Sequence, residues 1–109
     1  MTTCYALDLK DDQALIAEYE HWHANVWPEV LDHLRNSGIS RCNIHRAGNR
    51  LFMIVESSSG AATDGGGAAL PPRVQEWEDL MAQFQQPLPF AKPGEKWVRM
   101  ETVFDWSAT

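Results

Sequence analysis

Tyr19 and His23 stand four residues apart, so on a helix the phenol and the imidazole lie one turn apart on one face. Ile16 precedes the pair, and Val26, Val30 and Leu34 follow it along the same apolar stripe. Such a pair either sits quietly hydrogen-bonded within the packing or lines a pocket and moves protons. An imidazole changes charge near neutral pH, which suits general acid–base transfer. Pro28 interrupts the helix just beyond the pair and leaves carbonyls near Ala24 short of partners. These features favour the proton-moving reading, with His23 as the acid–base group and Tyr19 as its neighbour. His45 would add a third proton-capable group if its strand face points at the helices, which alternation alone leaves open.

Trp77 falls on the apolar stripe of a later helix, as plain core or as the wall of a sugar pocket where C–H groups lie on the indole. Glu78, next to it, reaches a pocket rim or is simply solvated. Trp27, beside the break, is a candidate for the pocket as well as for core or subunit contact, and Trp22 for the latter two. Cys42 reads as a small buried hydrophobe. His21 and His23 point their rings to different helix faces, and nothing fixes a third ligand, so no metal site is expected. Phosphate-loop and nucleophile-elbow patterns are absent from the sequence.

The elements that must position these residues are legible in order. Tyr5, Leu7 and Leu9 alternate in a first strand, Cys4 to Leu9. Asp11 or Asp12 caps a helix running from about Gln13 to Trp27. At Pro28 the helix either kinks or gives way to a second segment with Pro28 in its first turn, ending at Gly38. Ile39 to Arg46 is a second strand, with Cys42 and Ile44 on one face and Asn43 and His45 on the other. Ala47-Gly48-Asn49-Arg50 is a tight turn into a central strand, Leu51 to Val55. Ser57 to Ala69 is rich in Gly and Ser and is expected to be flexible. Val74, Trp77, Leu80, Met81 and Phe84 mark a helix from Arg73 to Gln85, stopped by Pro87-Leu88-Pro89. Trp97 to Trp106 alternates again as a last strand.

This order is β-α-β-β-α-β, the ferredoxin-like pattern of an α+β protein: two helices over one face of a four-stranded antiparallel sheet. The other sheet face needs a cover, and a second copy is the simplest one, so a homodimer is expected. One domain spans residues 1–109. The net charge of −6 speaks against nucleic acid or an anionic membrane as partner. Two cysteines are too few for a disulfide framework, and neither a signal-peptide pattern nor a membrane-length apolar run occurs, so a cytoplasmic protein is expected.

Tyr19-x-x-x-His23-x-x-x-Trp27-Pro28-Glu29-Val30, Gly38-Ile39, Leu51-Phe52-Met53 and Val74-Gln75-x-Trp77 together resemble the L-rhamnose mutarotase family. Ala6-Leu7-Asp8-Leu9, Pro72-Arg73-Val74-Gln75-Glu76-Trp77-Glu78, Phe84-Gln85-Gln86-Pro87 and Gly94-Glu95-Lys96-Trp97-Val98 bring it closest to the L-fucose mutarotase branch. The resemblance implies a dimeric α/β-barrel-like association and a monosaccharide substrate. It also implies interconversion of α and β anomers by ring opening and closure, without cofactor or metal. It makes His23 the proton donor and Tyr19 a sugar contact. A second sugar-contacting Tyr of the rhamnose branch falls at Cys42, and a Trp-Trp pair falls on Trp77-Glu78, so only the first Trp carries over. These departures favour a 6-deoxyhexose other than L-rhamnose, with L-fucose foremost and His45 and Glu78 as replacement contacts. Two other readings use the same residues: a sugar- or small-molecule-binding module without turnover, and a small monooxygenase of the same fold.

Overall fold

Thr2–Leu9 forms strand β1, and its odd residues Tyr5, Leu7 and Leu9 are each only 1% exposed. The computed structural model describes residues 1–58 and 70–108, so most of the Gly- and Ser-rich stretch lies outside the described residues. Helices α1 (Gln13–His23) and α2 (Pro28–Asn36) follow β1. Strands β2 (Ile39–Ala47) and β3 (Arg50–Ser57) form a hairpin, and α3 (Pro72–Ala82), β4 (Gln85–Gln86) and β5 (Val98–Arg99) complete the order. The antiparallel sheet runs β2-β3-β1-β4, and β5 takes the same edge of β1 as β4. This is the expected ferredoxin-like α+β arrangement, with three helices instead of two among the described residues.

Asp12 caps α1: its carboxylate accepts from Ala14 N at 2.9 Å and Leu15 N at 3.1 Å, satisfying two otherwise unpaired donors. Asp12→Ala is expected to lower stability by about 1 kcal/mol. A melting midpoint unchanged by that substitution would contradict the capping role. Pro28 disfavours helical backbone at Trp27, which is extended at φ −60°, ψ 138° and caps α2, with Pro28 in its first turn. The break at residues 24–27 therefore takes the two-helix form of the expectation. Gly38 (φ 81°) ends the α2 region and Gly48 (φ 60°) turns the hairpin, both in the left-handed region that glycine enters freely.

Cross-strand register fixes which side chains face the helices, because paired residues share a face. Leu7 pairs with Leu51 and Tyr5 with Met53; Met53 pairs with Ile44, and Val55 with Cys42. Leu9, Leu51, Tyr19, Val30, Trp77, Met81 and Phe84 form the core between sheet and helices. Arg46, on the helix-facing side of β2, holds Glu20 of α1 at 2.8 Å. On the opposite side Arg50 grips Asp8 through two contacts, at 2.8 and 3.2 Å, and pins the β1–β3 register.

Two expectations are corrected. The α3 helix stops at Ala82, and Gln85–Gln86 pairs with Leu9 and Asp8 of β1, because Pro87 pushes Gln86 into extended backbone. The last strand is two residues long instead of ten: Val98–Arg99 pairs with Ala6 and Tyr5, and Met100 N donates to Cys4 O at 2.8 Å. Beyond Cys4 only Thr2 and Thr3 of that β1 edge remain, and residues 101–108 pair with no strand among the described residues. There Val103, Phe104 and Trp106 are 95, 81 and 73% exposed.

Candidate active site

The imidazole of His23 lies at the end of α1, with its Nδ1 2.9 Å from the Tyr19 carbonyl. A carbonyl only accepts, so Nδ1 carries hydrogen and donates, which leaves Nε2 as the nitrogen that gains and loses a proton. The imidazole is held between two rings: the Tyr19 ring centroid is 4.3 Å away at 34°, and the Trp77 ring 5.3 Å away at 71°. Both neighbours are core residues, Tyr19 at 3% and Trp77 at 4% exposure, while His23 is half-buried.

Burial pushes the Tyr19 phenol far above its ordinary range, with Glu78 and Cys42 adding to the rise and a hydrogen bond from Gln85 opposing it. Tyr19 therefore stays protonated at neutral pH and serves as a hydrogen-bonding group, not as a base. The same influences place Glu78, Cys42 and Gln85 around the phenol. Glu78 lies on the flank of α3 beside the buried row Val74, Trp77 and Met81, and Lys96 Nζ holds its carboxylate at 3.2 Å. Burial also raises the Cys42 thiol, so it is a neutral side chain facing the helices.

Trp27 is half-buried at the rim, edge-on to Trp77 at 5.3 Å and to Trp22 at 6.4 Å. The Arg73 guanidinium lies 4.0 Å over its ring and also reaches Glu29 and Glu76, clasping α2 to α3. Trp77 presents its ring to His23 and Trp27, so it walls the imidazole from inside the core. His45 pairs with Phe52, and Phe52 with Ala6, which puts it on the sheet face away from the helices. The structure therefore brings His23, Tyr19, Trp77, Trp27, Glu78 and Cys42 together and leaves His45 apart. Gln85 and Lys96 join the cluster without having been singled out in the sequence. Pro87, two residues after Gln85, was the available signal that this position is extended and not helical.

Fold and cluster define a ferredoxin-like α+β protein with one imidazole braced against the covered face of its sheet. A family model described as L-rhamnose mutarotase matches residues 2–106, and the chain belongs to that family. It is 46% identical over 109 residues to an L-fucose mutarotase of Xanthomonas campestris pv. campestris, covering 93% of this chain and 84% of that protein. It is 33% identical over 92 residues to an L-rhamnose mutarotase of Acidiphilium cryptum, covering 81 and 85%. Among solved structures, an L-rhamnose mutarotase from Formosa agariphila superposes with a TM-score of 0.71 at 22% identity, covering 98% of this chain and 99% of that one. Tetracenomycin F2 cyclase from Streptomyces glaucescens superposes at 0.66 with 15% identity, covering 100 and 99%. These two likenesses concern the fold.

Proposed function

We propose that the protein is a mutarotase that interconverts the α and β anomers of a 6-deoxyhexose, with L-fucose as the foremost substrate. The observation that carries this reading is the Nδ1 hydrogen bond of His23, which fixes the tautomer and frees Nε2 for proton transfer beside neutral hydrogen-bonding groups. The 46% identity to an L-fucose mutarotase supports the choice of sugar.

In the proposed reaction, protonated His23 gives its Nε2 hydrogen to the ring oxygen as the bond from that oxygen to the anomeric carbon breaks. The anomeric hydroxyl gives its proton to Glu78, and the open aldehyde forms. The aldehyde rotates about its bond to the next carbon. The ring hydroxyl then attacks its other face, returning its proton to Nε2, while the new anomeric oxygen takes the proton back from Glu78. Protons balance over the cycle and no electrons are transferred. Tyr19 holds a sugar hydroxyl throughout, and Lys96 keeps Glu78 in place. Trp77 braces the imidazole, Trp27 and Cys42 border the sugar, and no cofactor or metal enters the scheme.

Saturation-difference NMR between the anomeric protons of L-fucose, with L-rhamnose and D-glucose alongside, tests the reading. Exchange well above the spontaneous rate with L-fucose is expected. No enhancement with any of the three sugars would sink it.

The protein acts as a homodimer in the cytoplasm in this proposal, without nucleic acid or membrane partners. Among the described residues no helix is long and apolar enough to cross a membrane, and both cysteines are free thiols. The dimer reading rests on the exposed Val103, Phe104 and Trp106, which a second copy would cover. His45, on the open sheet face, would then meet the partner instead of the sugar. Phe104→Asp with Trp106→Asp is expected to convert the dimer to monomer in sedimentation velocity. A wild-type chain that sediments as a monomer at micromolar concentration would refute the dimer.

A further inference from the structure

Gln85 sits where it cannot drift. Its backbone pairs with Leu9 at the sheet edge, and Lys10 N donates to the preceding carbonyl, that of Phe84, at 2.8 Å. Phe84 is core and meets the Tyr19 ring edge-on at 6.2 Å. Pairing with Leu9, a core residue, turns the Gln85 side chain toward the helices, on the side of the sheet where Tyr19 is buried. Among the described residues its Oε1 is buried without a hydrogen-bond partner. Buried polar atoms in native proteins are nearly always satisfied, so an orphaned acceptor beside an acid–base group invites a donor from a ligand.

The Tyr19 phenol, kept protonated by burial, has a hydrogen to donate, and the Gln85 carboxamide oxygen has lone pairs to accept with. Tyr19 thus supplies one donor and Gln85 one acceptor, both on the helix-covered side of the sheet, where the Tyr19 ring lies against His23. Two neighbouring hydroxyls of one sugar ring satisfy both when one accepts from Tyr19 and the other donates to Gln85. Resting on the mutarotase reading, we infer that Gln85 is a specificity-determining residue: its carboxamide oxygen accepts a hydrogen bond from a ring hydroxyl and selects among 6-deoxyhexoses by hydroxyl configuration. L-Fucose and L-rhamnose differ in configuration at two ring carbons, so one rigid donor–acceptor pair cannot serve both equally. A site built to receive a hydroxyl rejects a ligand that fails to supply it there, because the site's own polar atom is left unpaired.

Gln85→Met keeps side-chain length and removes both polar atoms, and Gln85→Leu serves as a second variant should Met disturb the fold. Anomer exchange and equilibrium affinity are measured by NMR with L-fucose and with L-rhamnose, alongside the melting midpoint. The preference for L-fucose over L-rhamnose is expected to fall about tenfold, the size of one hydrogen bond, with the melting midpoint little changed. Equal losses for both sugars would assign Gln85 a purely structural role and overturn the inference, as would an unchanged preference. If the wild-type protein binds the sugars but catalyses no exchange, the mutarotase reading fails alone, and the change in affinity preference still decides the role of Gln85. Binding of neither sugar overturns both.

Discussion

His23→Ala is expected to lower catalysed anomer exchange by roughly 10²–10⁴-fold, the range for loss of a positioned general acid–base group. The size follows from the local geometry. Tyr19 is held protonated by burial, and Cys42 is likewise a neutral thiol. Neither replaces the His23 imidazole as the group that gives and takes the proton. Glu78 remains, and it preserves one half of the proton traffic, so a residual rate above the spontaneous one is expected. Affinity for L-fucose should fall much less, since Tyr19, Glu78 and Gln85 still meet the sugar. A variant that loses binding and exchange in the same proportion would show that His23 holds the sugar instead of moving protons. Full exchange in His23→Ala would remove it from the mechanism.

The parts of this site legible in the sequence are those carried by helical periodicity. Four-residue spacing put Tyr19 and His23 on one face, and the rings do lie 4.3 Å apart. Trp77 was placed on a buried stripe, and it is buried. Pro28 announced the break, and Asp12 the cap. The sheet contributions were harder to read, because a strand's alternation says which residues share a face but not which face is covered. His45 and Cys42 were separated correctly by alternation, yet only the pairing of Met53 with Ile44 and Val55 with Cys42 turned Cys42 inward and His45 outward. Gln85 was assigned to a helix end because Phe84 continues the apolar period. Pro87 and the free edge of β1 override that local preference. The Trp97 to Trp106 alternation is genuine, but alternation needs a neighbouring strand, and within one chain that neighbour ends at Thr2.

Trp77→Ala carries the other large expected effect, and it falls first on stability. Truncating a buried Trp to Ala removes about 3–5 kcal/mol. A domain of this size holds only about 5–15 kcal/mol in all. The melting midpoint should therefore drop by more than about 10 °C. The loss is not confined to the core, because the removed ring is the one that stands edge-on to both His23 and Trp27. Without it the imidazole keeps its bond to the Tyr19 carbonyl but loses the wall that fixes its ring plane, and the Trp27–Arg73 clasp loses its floor. Trp77→Phe separates the two consequences. Phe restores most of the apolar burial, so the midpoint should recover by more than half. The smaller ring still leaves His23 loosely held, and a group loosely held in the reacting geometry transfers protons less effectively. Exchange of L-fucose anomers in Trp77→Phe should then remain below wild type while the fold is intact. If Trp77→Phe regains wild-type exchange together with stability, Trp77 is core alone and the bracing of His23 falls to Tyr19.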